Sequence, residues 1–307
     1  MTHGKGISFL LVVIGLIGFL MSCSNSGIVL YEHPLKGPLS EHGNQVILAT
    51  TDLSIGENRF SFLVLSQTGF IKTKYAEVVF YPPLSKSNPI RNTAPFIYWD
   101  EVDRGSFVTH VNFPYEGKWD LVVNLIDDDK KISMKSSFPV QKTSIAPGKG
   151  EKAPRSKNKT LSNVGDMKEL STGDLIEPEL YRYSIDESIK SGRPTVLTFS
   201  SPAFCKDETC GPQVQVLAEL HKHKSDSANF IHVEIYDNPV ELQNGSQAGI
   251  YSEPFNKWDL PSSEWTFIIS CSGEISARYQ GFVSIAELDE ALMASLLEHQ
   301  FNPSCAP

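Results

Sequence analysis

The sequence predicts two domains of different class, an all-β layer followed by an α/β domain. Three observations carry this. From Gln45 to Val140, apolar and polar residues alternate with a period of two between regularly spaced turns. From Lys142 to Asn163, KTSIAPGKGEKAPRSKNKTLSN, large apolar residues nearly vanish and the local charge turns positive. From Arg193 onward the order strand–helix–strand–strand–strand–helix can be read, which an α/β layer requires. The boundaries expected are 1–22 for a signal segment, 23–43 for a tether, 44–141 for a β-sandwich, 142–170 for a flexible basic linker and 171–307 for the α/β domain.

The first segment is short. Ile7 to Leu20 is apolar apart from Ser8 and two glycines. That is too short for a bilayer span of about 20 residues, but it suits a signal h-region. Leu20-Met21-Ser22-Cys23 follows at once and resembles the bacterial lipobox. The resemblance implies a bacterial envelope protein whose mature chain begins at a lipid-bearing Cys23, anchored in a membrane and facing away from the cytoplasm. Of the five cysteines, Cys205, Cys210, Cys271 and Cys305 then remain, and an even number in an oxidising compartment points to disulfides. The net charge of −9 argues against nucleic acid as a partner.

In the β layer, Ser106 to Phe113 sets Phe107, Thr109, Val111 and Phe113 on one face and Val108, His110 and Asn112 on the other. Lys118 to Ile126 points Trp119, Leu121, Val123 and Leu125 one way. Lys131 to Val140 repeats the scheme with Ile132, Met134, Phe138 and Val140. Arg59 to Leu65 and Tyr75 to Tyr81 add two strands. The regular turn spacing indicates a sandwich, and Gly117-Lys118-Trp119-Asp120-Leu121 resembles a late strand of immunoglobulin-like bacterial surface domains. His110 stands alone on its face and is expected to be solvated. The 142–163 stretch cannot bury enough surface to offset its ordering entropy, so it reads as a flexible linker.

Chemistry concentrates in Arg193 to Leu220, RPTVLTFSSPAFCKDETCGPQVQVLAEL. Thr195 to Phe199 is a buried strand, Ser-Ser-Pro leads into a loop with Cys205 and Cys210, and Gly211-Pro212 open a helix. A thiol at a helix N-terminus is biased toward thiolate by the macrodipole. Ser184 with Glu187, and Ser284 with Glu287, are capping boxes opening further helices. Asn229 to Tyr236 is a strand, and Asp237 to Leu260 is irregular with at most one helix. Ile285, Leu288, Leu292 and Leu296 make a helical stripe to about His299.

Strand, Phe-Ser-Ser-Pro, cysteine, then Cys-Gly-Pro opening a helix is similar to the active-site segment of thioredoxin-like proteins, and Trp265 to Gly281 looks like their closing hairpin. The resemblance implies a thioredoxin-like domain over roughly the last 130 residues and thiol–disulfide exchange on envelope proteins. Three departures are visible. Gln213 stands where the family has its second cysteine, Thr198 where many members bury an acidic proton-transfer residue, and Ser263-Glu264-Trp265 where they have a cis-proline.

Cys210, next to the helix N-terminus, is the expected nucleophile with Cys205 resolving; matching by distance from the strand exchanges the two roles. On chain-entropy grounds a Cys205–Cys210 bond stabilises by only about 2 kcal/mol, against about 4 kcal/mol for Cys271–Cys305. The latter is expected to be the structural disulfide. The alternatives are a non-catalytic binding or scaffold lipoprotein and, less favoured, copper delivery. Copper delivery needs a third ligand near the closing hairpin, usually histidine, and Asp259 to Gly281 has none. His221 and His223 lie two apart on one helix, pointing to different faces. Neither a metal nor another cofactor is expected.

Overall fold

Alternation produces strands where the sequence places them. The computed structural model describes Met1 and residues 33–301, apart from 84–87, 100–103, 128–129, 175, 206–208 and 246. The signal segment, Cys23 and Cys305 lie outside the described residues. The chain divides into Met1–Leu30 and Tyr31–Pro307, and the described strands and helices all belong to the second unit. Among the described residues no helix is long and apolar enough to cross a membrane.

Nine strands build the first layer: β1 (Leu35–Lys36), β2 (Gln45–Leu48), β3 (Gly56–Ser66), β4 (Gly69–Phe70), β5 (Tyr75–Tyr81), β6 (Ile90–Trp99), β7 (Arg104–Phe113), β8 (Gly117–Asp127) and β9 (Lys130–Val140). They follow one path, β1-β2-β3-β7-β6-β5-β8-β9, with β4 on β3. The path curls until its ends meet. A side chain at Gly37 would run into Ser136 of β9, so the sheet is nearly closed. Inside it the predicted inward residues pack as an aromatic cluster. Phe60 meets Phe80 edge-on at 5.1 Å, and Phe113 meets Trp119 at 4.9 Å, the geometry that aromatic quadrupoles favour. His110 is exposed, as expected.

Strand β6 was not legible because Pro95 interrupts it. The structure shows why proline is tolerated there. From Ile90 to Pro95 the strand pairs with β5, and from Phe96 onward it pairs with β7. Pro95 therefore sits where the partner changes, where a missing N–H costs least.

The second sheet has four strands, β10 (Thr195–Ser200), β11 (Asn229–Glu234), β12 (Trp265–Ile269) and β13 (Ile275–Gln280), in the order β11-β10-β12-β13. β10 and β11 are parallel and the other pairs antiparallel. Helices α2 (Cys210–Lys224) and α5 (Ile285–Phe301) cover one face, their Val214, Leu217, Leu288 and Leu292 meeting Val196, Phe230 and Ile268. Helices α1 (Ile185–Lys190) and α4 (Glu253–Lys257) cover the other, where Ile185, Phe255 and Trp258 meet Leu197, Phe199 and Phe267. This is the thioredoxin-like arrangement that the cysteine segment implied. Both capping boxes form: Ser184 Oγ accepts from Glu187 N–H and Ser284 Oγ does the same for its own Glu287, each at 3.3 Å. The irregular 237–260 stretch holds two short helices, α3 (Pro239–Gln243) and α4, rather than at most one. Each has a proline in its first turn, which read as loop punctuation but also suits a helix start.

The largest correction concerns 142–163. This stretch is a strap woven into the second domain, not a flexible linker. Ala146 and Ala153 are buried in the core on the α1 and α4 side of the sheet. Backbone bonds join Gly150 N–H to Ile275 O, Ile275 N–H to Glu151 O and Ala153 N–H to Gly273 O, each 2.8–2.9 Å. Ser156 Oγ accepts from the Trp258 indole at 3.2 Å, and Asn158 Oδ1 from Ile185 N–H at 2.8 Å. Composition missed this because the strap gains its order from edge-strand hydrogen bonds and from small or polar buried side chains such as Ala146, Ala153, Ser156 and Asn158, not from large apolar residues.

The strap also helps lock the two layers together. Asp52, after β2, accepts Ile145 N–H at 2.9 Å, Ala146 N–H at 3.0 Å and the Arg278 guanidinium at 2.6 Å. Gln280 Oε1 accepts the amides of Thr51 and Asp52 at 2.7 and 2.9 Å. Arg59 of β3 pairs with Glu287 of α5 at 2.8 Å, and Trp99 packs on Phe282 at 4.7 Å.

Candidate functional site

The site lies where β10 runs out. Ser200 ends the strand, Ser201 to Cys205 form the loop, and Cys210 is the first residue of α2. Cys205 and Cys210 are joined in a disulfide with their Cα atoms 5.9 Å apart. Their exposures differ. Cys210 is fully buried under the helix terminus, whereas Cys205 is half-buried beside the exposed Phe204. Cys205 is therefore the more exposed residue of the pair, and Cys210 the one at the head of the helix.

The loop is clamped from behind. Thr172 Oγ1 lies 3.0 Å from Ser201 Oγ and accepts Ala203 N–H at 3.2 Å. Thr172 in turn donates its own N–H and hydroxyl to Glu234 Oε2, each at 2.8 Å. Burial pushes the Glu234 carboxyl above its ordinary value against the pull of these bonds. Pro202, Ala203 and Gly211 wall a groove that continues along α2 past Val214 and Ala218 to Lys222.

The departures from the thioredoxin pattern have structural explanations. Gln213 is fully buried, and its Oε1 accepts Val283 N–H at 2.8 Å, so it ties α2 to the chain entering α5. Thr198 pairs its hydroxyl with that of Thr266 across β10 and β12 at 3.1 Å, filling the acidic position with a neutral bond. The residue that sequence reading missed is Glu264. β10 and β12 pair with Phe199 opposite Trp265, so the residue before Trp265 lies beside the end of β10, where the cysteine loop departs. Glu264 is buried there, and its carboxylate stands with both sulfurs inside a 4.8 Å cluster. Thr209, the residue that would normally cap α2, makes no cap bond and instead donates its hydroxyl to Glu264 Oε2 at 2.6 Å. With the sulfurs bonded to each other, neither offers a thiolate.

Cys271 is buried in the turn between β12 and β13 and is itself disulfide-bonded. Cys305, its expected partner, and Cys23 lie outside the described residues.

No family model matches the sequence, and no curated protein matches it. Among solved structures the chain is similar to a Chlorobium tepidum protein provisionally assigned as the thiol:disulfide interchange protein DsbE, at 14% identity and TM-score 0.35, covering 49% of this chain and 99% of that one. It is also similar to a thiol:disulfide interchange protein of the thioredoxin family from Chlorobium tepidum TLS, at 18% identity and TM-score 0.32, with the same coverage of 49% and 99%. A third likeness is to superoxide reductase (neelaredoxin) from Ignicoccus hospitalis, at 10% identity and TM-score 0.22, covering 31% of this chain and 79% of that one. At these values the likenesses assign no residue a role.

A second polar cluster lies beside the site. His232 of β11 is fully buried, with Nδ1 2.6 Å from the Tyr181 hydroxyl and Nε2 3.0 Å from Ser200 Oγ. Burial lowers its pKa from 6.5 to about 4, against the Ser200 backbone bond that raises it. Between those pH values the unfolded chain takes up a proton that the folded chain refuses, so His232 removes stability as pH falls through that window. The total is about 3 kcal/mol. Glu234, with its raised pKa, acts in the opposite sense, so the contribution must be read as a difference between variants. The melting temperature of His232→Gln is expected to fall less steeply from pH 6.5 to 4 than that of the wild type. Parallel curves would refute the assignment.

Proposed function

We propose that this chain carries out thiol–disulfide exchange on protein thiols or disulfides, through Cys205 and Cys210. One observation carries the reading: the two cysteines form a short-range disulfide at the head of α2, with Cys205 partly exposed and Cys210 fully buried. A partner thiolate attacks Cys205 Sγ, the Cys205–Cys210 bond breaks, and Cys210 leaves as a thiolate under the positive end of α2. In the reverse direction, a reduced Cys205 attacks a partner disulfide and Cys210 releases the product. The exposed Phe204 and the groove along α2 offer the partner an apolar contact beside the reactive sulfur.

The lipobox at Leu20 to Cys23 supports the further reading that the protein is held by lipid at Cys23 on the outer side of a bacterial membrane, with other envelope proteins as its substrates. For the first layer, pairing of β2-β3-β7 on one side and β5-β8-β9 on the other, with β6 crossing between them, supports an immunoglobulin-like sandwich.

The test is alkylation under mild reduction followed by mass analysis of the membrane-purified protein. The Cys205–Cys210 bond should open, and Cys205 be labelled, well before Cys271, because exchange needs an accessible sulfur. The same spectra should show Cys23 as a lipid-bearing first residue. Simultaneous labelling of all thiols would turn the cysteine loop into a static staple and favour a non-catalytic scaffold. An unmodified Cys23, or a different mature start, would remove the anchor.

A further inference from the structure

In the exchange reading, on which this inference rests, a partner must bring its own sulfur to Cys205 across some surface, and α2 supplies one. A groove of about 420 Å³ starts at Ala203 and Gly211, close in the chain to Cys205 and Cys210, and runs along α2 to Lys222. From Gly211 to Lys222 the helix rises about 16 Å, the span of about five residues of extended chain. The floor is apolar. Pro202 and Ala203 close the end at the cysteine loop, and Val214 and Ala218, one helical turn apart, line the middle. On the opposite wall Gly173 packs against Pro202, where a Cβ would lie 3.2 Å from the ring.

The rim is acidic. Asp174, Glu177 and Glu219 line it against a single ammonium, that of Lys222. Lys222 is bonded to Glu219 at 2.9 Å, and Lys222 and His223 together hold the Glu219 carboxyl below its ordinary value. That charge is therefore compensated. Asp174 and Glu177 are exposed and, among the described residues, have no side-chain hydrogen bond or ion pair. Lys222 is raised chiefly by Glu219 but also by Glu177, which sets Glu177 across the groove from α2.

We propose that this groove selects the partner: it takes an extended segment in which apolar residues and a lysine or arginine lie within about five residues of the reacting cysteine. The apolar residues cover Val214 and Ala218, and the cation stands against Asp174 and Glu177. An acidic segment meets like charge there and is rejected. Exposed ion pairs add little to affinity, so the selection acts mainly on encounter rate and weakens with salt.

Full-length protein carrying Cys23→Ser and Cys210→Ser, reduced mildly so that Cys271 stays bonded, keeps Cys205 as the reacting thiol. The probes are peptides of the order Cys-Ala-Val-Ala and its reverse, ending away from the cysteine in lysine, glutamine or glutamate. Each cysteine is carried as its thionitrobenzoate disulfide. The Cys205 thiolate attacks the peptide sulfur, the bond from peptide to thionitrobenzoate breaks, coloured thionitrobenzoate leaves as a thiolate, and the peptide stays on Cys205. Rates are taken relative to hydroxyethyl disulfide, which is uncharged and too small to span the groove, so that changes in the reactivity of Cys205 itself cancel. At low salt the lysine peptide should react about tenfold faster than the glutamate peptide in one of the two orders, with glutamine between them. The difference should vanish at about 1 M salt, where charges are screened within about 3 Å. Asp174→Lys combined with Glu177→Lys should reverse the order of the peptides, and serine in place of the peptide valine should slow the lysine peptide. Equal relative rates for lysine and glutamate peptides, or a preference that survives the double substitution, would overturn the role of the groove and leave exchange standing. No adduct on Cys205 from any peptide or from hydroxyethyl disulfide would overturn the exchange reading itself.

Discussion

Arg278→Ala is expected to lower the unfolding free energy by about 3–5 kcal/mol, the cost of removing one partner of a buried ion pair. The Asp52 side chain is 1% exposed and the Arg278 side chain 18%, so water cannot replace the lost guanidinium. Arg278 also donates to the backbone carbonyls of Ala146 and Asp52, at 3.1 and 3.2 Å, and stacks over Trp265. The amides of Ile145 and Ala146 continue to hold Asp52, which places the loss toward the lower end of the range. Lysine at 278 should recover less than half, since a point charge cannot reproduce the forked contacts to Asp52 and Ala146. Chemical denaturation of the full chain gives the value. A loss below about 1 kcal/mol, the scale of a surface salt bridge, would mean that the β layer and the second domain are not held through this residue.

The second large effect falls on chemistry rather than stability. Cys205→Ser should abolish exchange, because the sulfur left in place is buried and no partner reaches it. Cys210→Ser should complete only the first step and stop at a mixed disulfide on Cys205. Neither change should cost more than about 2 kcal/mol in stability, since the loop closed by the bond is short. The asymmetry between the variants is the informative part, as a structural disulfide would respond equally to loss of either cysteine.

The two roles show what a single sequence reveals. Strand periodicity, both capping boxes and the strand–loop–helix around the cysteines were legible because each is fixed by residues near one another in the chain. The order of attack was not. Helix proximity favours Cys210, the proposed mechanism follows burial instead, and burial of Cys210 depends on how α2 packs down onto the sheet. Glu264 could have been found only from the register of β10 against β12, which brings it to the cysteine loop from more than fifty residues away. Copper delivery calls for a histidine near the hairpin, and by that criterion a carboxylate there carries no signal. The strap at 142–163 escaped for a related reason. Its order comes from backbone bonds to an edge strand and from small or polar side chains buried against the domain, and neither leaves a mark in composition.

The most direct test of the exchange mechanism is the intact mass of the reduced Cys210→Ser and Cys205→Ser proteins after exposure to glutathione disulfide. The mechanism predicts one glutathionyl group on Cys205 in the first variant and none on Cys210 in the second. An adduct on Cys210, or an unmodified Cys205, would contradict it.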